Sequence, residues 1–117
     1  MIGTIAVPNY REYESWRRAR VVVCSVFDFT KSLSRTARYA RLAADVSRLS
    51  VSVLDNMARG YEGDGDRSFL AKALLSVEEL SRELKRACEM RALTPRAALR
   101  LTRELDAIRK SLRGEAK

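Results

Sequence analysis

Apolar residues recur every three or four positions along most of the chain, a spacing typical of amphipathic α-helices. The pattern predicts helices at residues 11–32 and 35–61, a third after a capping Asp66 or Ser68 to about Ala87, and a fourth from Thr94-Pro95 to about Leu112. No stretch shows the alternation of a strand. The predicted fold is all-α, an antiparallel up-and-down four-helix bundle at residues 11–113, with an arm at 1–10 and a tail at 114–117.

Each predicted helix has one apolar stripe that we expect to face a common core. Gly60, Gly63 and Gly65 predict the end of the second helix, because glycine readily adopts φ > 0. The expected core stripes are Tyr13, Trp16, Val23 and Phe27; then Tyr39, Ala43, Val46, Val53 and Met57; then Phe69, Ala73, Val77, Leu80, Leu84 and Ala87; and finally Leu101, Leu105, Ile108 and Leu112.

Four further apolar residues lie off these stripes, namely Val22, Val26, Leu70 and Leu74. A monomer with the expected core would expose them, and contiguous exposed apolar patches mark interfaces. We therefore expect these four residues to form an oligomer interface.

The charge of the chain points to an anionic partner. The 117 residues carry a formal net charge of +8, most of the bases are arginine, and no apolar run is long enough to span a bilayer. A planar guanidinium donates two hydrogen bonds to one phosphate, so we expect nucleic acid as the partner. Because no apolar run is long enough to span a bilayer, we expect the cytoplasm as the location. Cys24 and Cys88 fall on apolar stripes and predict buried free thiols.

The residue types that common catalytic sites require are missing. The chain has no histidine, which removes the commonest general base and metal ligand. Glu62, Asp64 and Asp66 alternate with glycines but have no closing glutamate at calcium-loop spacing, and they suit a solvated turn. The glutamates at 78, 79 and 83 are expected to pair with Arg82, Lys85 and Arg86 on the same helix. We expect no enzyme activity, no metal and no cofactor.

Two helix faces are rich in arginine. The bases of the second helix fall within a sector of about 80°, although Asp45 and Asp55 interrupt them, and those of the fourth have few acids between them. Aromatic residues are not interleaved with either set, which favours binding to a phosphate backbone over base stacking. The predicted nucleic-acid-binding residues are Arg38, Arg41, Arg48 and Arg59 on the second helix and Arg96, Arg100, Arg103 and Lys110 on the fourth.

Two segments carry a resemblance to a known family. Residues 52–61 read SVLDNMARGY, and residues 69–80 read FLAKALLSVEEL. With Glu14, Trp16, Ala19 and Thr30 of the first helix, they resemble, in order and spacing, the four-helix-bundle family encoded in intervening sequences of bacterial large-subunit ribosomal RNA genes. Leu54 replaces a usual proline, which predicts a straighter second helix, and Asn56 is expected to bond the preceding turn.

The resemblance implies a small bundle without catalysis that assembles as a ring, commonly a homopentamer. The accessory variability protein of diversity-generating retroelements is a related basic bundle that binds a reverse transcriptase and its template RNA, and the basic fourth helix fits that role equally well. The sequence thus leaves three alternatives: an RNA-binding scaffold, such an accessory protein, or a protein-interaction ring that does not itself bind nucleic acid.

Overall fold

Four long helices contain most of the chain. The computed structural model describes residues 14–33, 35–62 and 67–115, and within these ranges there is no strand. Helix α1 spans Glu14–Leu33, α2 Ala40–Tyr61, α3 Ser68–Glu89 and α4 Pro95–Glu115. The predicted arm at 1–10, Tyr13, Asp66 and the end of the predicted tail lie outside the described residues.

The helix starts differ in how well local sequence predicts them. At α4 the prediction is confirmed, because the Ala97 N–H donates to Thr94 Oγ1 at 3.2 Å and Pro95 is the first helical residue. The second helix does not start near Arg35 as predicted. A single 3₁₀ turn, Ala37–Tyr39, precedes α2 instead.

The helices pack around one core. Helix α1 packs on α2 and α4, and α3 packs on the same two helices, which is consistent with a four-helix bundle. The described part measures 54 × 25 × 21 Å along its principal axes. Ser15 and Tyr61 hydrogen-bond through their hydroxyls at 2.8 Å, and the Tyr39 hydroxyl donates to the Met90 carbonyl at 3.1 Å.

The core stripes of α2, α3 and α4 agree with the prediction, except that Tyr39 and Phe69 at the helix starts are only half-buried. Of the predicted α1 stripe, Val23 is buried as expected, but Trp16 and Phe27 are only half-buried. The stripe is therefore rotated, and Ala19, Val22 and Val26 are core residues that the prediction left out.

The four residues predicted to form an oligomer interface instead pack in or against the core of the single chain. Val22, Val26 and Leu70 are 1%, 0% and 3% exposed within the single chain, and Leu74 is half-buried against the same core. The premise that a monomer exposes these residues is therefore wrong. Among the described residues, the exposed large apolar side chains lie one on each helix, at Val21, Val51, Leu75 and Leu99. The expectation of buried thiols is also wrong, since Cys24 is exposed and Cys88 half-buried; both are free.

Gly60 does not end α2 by a positive φ, because the helix continues through Tyr61. Its role is steric. A Cβ at this position would lie 2.5 Å from Leu70 Cδ2, 2.7 Å from Leu70 Cγ and 3.2 Å from Leu70 N. The missing side chain thus permits the close approach of the end of α2 to the first turn of α3. Gly63 and Gly65 lie outside the described residues.

The end of α3 is a Schellman motif with an arginine in the left-handed position. The Ala92 N–H donates to the Ala87 carbonyl at 2.8 Å, and the Arg91 N–H to the Cys88 carbonyl at 3.0 Å. Arg91 has φ 64, a conformation that usually requires glycine or asparagine. The turn that leads into α4 is therefore closed by hydrogen bonds at the expense of local strain.

Candidate nucleic-acid interface

The arginines predicted on the second helix are all exposed, but acids on the same helix accompany them. Arg48 lies 3.9 Å from Asp45, and Arg59 lies 3.2 Å from Asp55. Arg41 has no ion pair among the described residues. Exposed pairs of this kind contribute little to stability, yet each acid cancels much of the field that an arginine would present to an anion.

Two of the predicted bases lie over aromatic rings. The Arg38 guanidinium is 5.4 Å from the centre of the Tyr39 ring, and that of Arg59 is 5.7 Å from the centre of the Phe69 ring. Lys72 lies 4.7 Å from the same Phe69 ring. The sequence did not indicate the Phe69 cluster, because its members come from two different helices.

The bases of α4 are less neutralised. Arg96, Arg100 and Arg103 are exposed, and none forms an ion pair within the described residues. Lys110 differs, since its Nζ lies 3.3 Å from Asp106 Oδ2, and Arg109 binds the other oxygen of the same carboxylate. Three of the four predicted α4 bases thus have their donors available for a ligand.

A groove between α3 and α4 continues this basic surface. We define the α3–α4 groove by its polar lining: Glu78, Ser81, Arg82 and Lys85 from α3, and Thr102, Arg103, Asp106 and Arg109 from α4. Of the predicted site residues only Arg103 lines it. Arg82 and Lys85 were assigned by sequence to intrahelical pairs and so were missed as site residues.

The ion pairs of α3 differ from the predicted ones. Glu78 lies 3.8 Å from Arg113 of α4, and Glu83 pairs with Arg86 at 3.9 Å as predicted. Neither acid pairs with Arg82 or Lys85. The predicted pairs for these two bases are therefore wrong among the described residues, and Glu78 pairs with a base of the neighbouring helix instead.

Asp106 is the acid at the centre of the α4 face. Hydrogen bonds from Arg109 and Lys110 hold its pKa below the ordinary value of 3.8. The carboxylate therefore stays ionised at neutral pH and compensates the charge of its two partners. Arg82, Lys85 and Arg103 are left as the bases of the groove without an acidic partner in the described chain.

Asn56 belongs to the packing of α2 on α3. Its Nδ2 donates to the Ser52 carbonyl at 2.9 Å and to Ser52 Oγ at 3.1 Å, and Ser52 Oγ is 2.8 Å from Ser76 Oγ on α3. The predicted bond to the preceding turn is confirmed, and the helix is continuous at Leu54.

The described residues offer neither a metal site nor a membrane span. No three Cys, Asp or Glu side chains among them come together as metal ligands would. None of the described helices combines the length and the apolarity that crossing a bilayer requires.

Comparison with known proteins identifies the family. The family of 23S rRNA-intervening sequence proteins matches residues 11–114, which include all the described helices except the last residue of α4. Searches among curated proteins and among solved structures gave no match. The match covers most of the chain and agrees with the four-helix structure, so this chain belongs to the 23S rRNA-intervening sequence protein family.

Proposed function

We propose that the protein is a non-enzymatic scaffold that binds the phosphate backbone of nucleic acid, with structured RNA as the preferred ligand. The observation that carries the proposal is the set of exposed guanidinium groups at Arg96, Arg100 and Arg103, none of which forms an ion pair among the described residues. Binding at such a surface releases counter-ions from the nucleic acid, which supplies a large favourable entropy. The preference for RNA rests on the ribosomal RNA context in the family description.

Backbone contacts account for this surface better than base contacts. The rings of Tyr39 and Phe69 already have a cation above them, which competes with a stacking base. Helix α4 itself contains no aromatic residue that could stack on a base. Binding is therefore tolerant of sequence and selective for the spacing of phosphates.

The scaffold is proposed to be an antiparallel up-and-down bundle that assembles into a ring, as a homopentamer. The Ser15–Tyr61 and Tyr39–Met90 hydrogen bonds support the antiparallel order, since each joins the start of one helix to the end of its neighbour. Self-association is supported by α2, where Val51 is 54% exposed in line with exposed Ala40 and Ala44. A variant Val51→Asp is expected to lower the mass measured by light scattering.

The test is RNA binding by a charge-reversed α4. The triple variant Arg96→Glu, Arg100→Glu, Arg103→Glu should lose on the order of 100-fold in affinity for an RNA hairpin at about 0.15 M salt, because each lost phosphate contact costs roughly four- to six-fold. Circular dichroism checks that the bundle remains folded. Undiminished binding by this folded variant would refute the assignment.

The other two roles are secondary proposals, because no contact among the described residues favours them. Capture of a reverse transcriptase together with template RNA would support the retroelement accessory role. A protein partner bound by a ring that has no RNA affinity would support the protein-interaction role.

A further inference from the structure

We infer that the α3–α4 groove binds the phosphodiester backbone, between Arg82 and Lys85 of α3 and Arg103 of α4. The inference rests on the proposed function and adds α3 to it, a helix to which the sequence assigned no binding residue. Bases on two helices can contact a strand from both sides, whereas a single stripe contacts it from one.

The ionic balance of the groove leaves a surplus of positive charge. It contains two acids, and each is bound by bases at its edges: Glu78 by Arg113 at 3.8 Å, and Asp106 by Arg109 and Lys110. These acids are thus compensated without Arg82, Lys85 or Arg103. A ligand that carries regularly spaced negative charges would compensate the remaining three bases.

The groove also offers a hydroxyl donor. Ser81 is half-buried in the lining, and its hydroxyl has no hydrogen-bond partner in the described part of the chain. Thr102 differs, because its hydroxyl already donates to the Ala98 carbonyl at 2.9 Å. A phosphate oxygen held by Arg82 or Lys85 could accept a hydrogen bond from Ser81, as hydroxyls commonly donate to phosphates.

The α2 face is the natural comparison. It has as many predicted bases as α4, yet Arg48 and Arg59 are paired with Asp45 and Asp55. Contact with a phosphate there would bring the ligand beside these acids. The groove should therefore contribute more affinity per base than the α2 face does.

Two double variants with equal charge loss test this directly. Arg82→Gln with Lys85→Gln removes two unpaired bases of the groove, and the matched control Arg48→Gln with Arg59→Gln removes two paired bases of α2. All four positions are exposed, so both variants should remain folded. The readout is fluorescence anisotropy of a labelled RNA hairpin over a series of salt concentrations, with polyglutamate as a competitor.

The groove variant should lose about 15- to 30-fold in affinity at roughly 0.15 M salt, and the slope of log affinity against log salt should become shallower by about 1.4–1.8. The control should lose less than about three-fold. Equal losses in the two variants, or no loss in the groove variant, would overturn the assignment of the groove as the phosphate-binding site while leaving the proposed function intact. Displacement of RNA by polyglutamate at equal charge would overturn phosphate recognition. Failure of the unmodified protein to bind RNA would instead refute the proposed function.

Discussion

Replacement of Gly60 by alanine should destabilise the bundle, even though alanine is the better helix former. Alanine in place of glycine gains about 1 kcal/mol inside a helix and less at Gly60, which is the penultimate residue of α2. The new Cβ, however, would lie 2.5 Å from Leu70 Cδ2 and 3.2 Å from the Leu70 backbone nitrogen. Leu70 is only 3% exposed, so its side chain cannot move aside into solvent.

The steric cost should exceed the gain. Overpacking of a well-packed core costs typically about 1–3 kcal/mol, and the contact with a backbone atom requires the first turn of α3 to shift. We therefore expect Gly60→Ala to lower the free energy of unfolding by about 1–2 kcal/mol. Urea denaturation followed by far-ultraviolet circular dichroism, at fixed protein concentration, measures this difference.

Gly114 supplies the matched control, because a Cβ there would meet nothing within 4 Å. Gly114→Ala should be neutral or stabilising by less than about 1 kcal/mol, since the position is close to the end of α4. In a double-mutant cycle, Leu70→Ala should cost less in the Gly60→Ala background than alone, because the new methyl occupies part of the vacated volume. A Gly60→Ala protein as stable as the unmodified one would refute the packing role assigned to Gly60.

Three further outcomes follow from the strained turn and from the acid at the centre of α4. Arg91→Gly should raise the free energy of unfolding by about 1 kcal/mol, since φ 64 is strained for arginine, while Arg91→Ala should give no such gain in the same denaturation assay. Asp106→Asn should strengthen RNA binding several-fold in an anisotropy titration, because Arg109 and Lys110 lose their shared acid; weaker binding would contradict the electrostatic account. RNA affinity should be constant between about pH 5.5 and 7, because the chain has no histidine to titrate in this range. The lowered pKa of Asp106 means that its ion pairs stabilise the fold at every pH above 3.8, and this stabilisation is lost as the pH falls from 3.8 through the lowered value.

Local signals in the sequence predicted much of the fold. Thr94 and Pro95 act within one turn of the helix that they start, so their pattern alone locates α4. The rotation of α1 could not be predicted in this way. Its sequence has two apolar sides, one with Trp16 and Phe27 and one with Val22 and Val26, and only packing against α2 and α4 selects the second.

The candidate site was also predicted only in part, because local sequence signals indicate exposure but not contacts between helices. Exposure of the arginines follows from helical periodicity, and the α4 stripe could be identified from the sequence. Which bases remain unpaired depends on neighbours distant in sequence. Glu78 is bound by Arg113, 35 positions away, and this contact leaves Arg82 without the partner that sequence spacing assigned to it.

In this account, RNA phosphates are neutralised by the α4 arginines that form no ion pair among the described residues and by the bases of the α3–α4 groove. The most direct test is the affinity of the unmodified protein for an RNA hairpin across a salt series. Contacts from Arg82, Lys85, Arg96, Arg100 and Arg103 predict a slope of log affinity against log salt of about −3.5 to −4.5 per protomer engaged. A slope near zero, or no measurable binding at low salt, would contradict the claim.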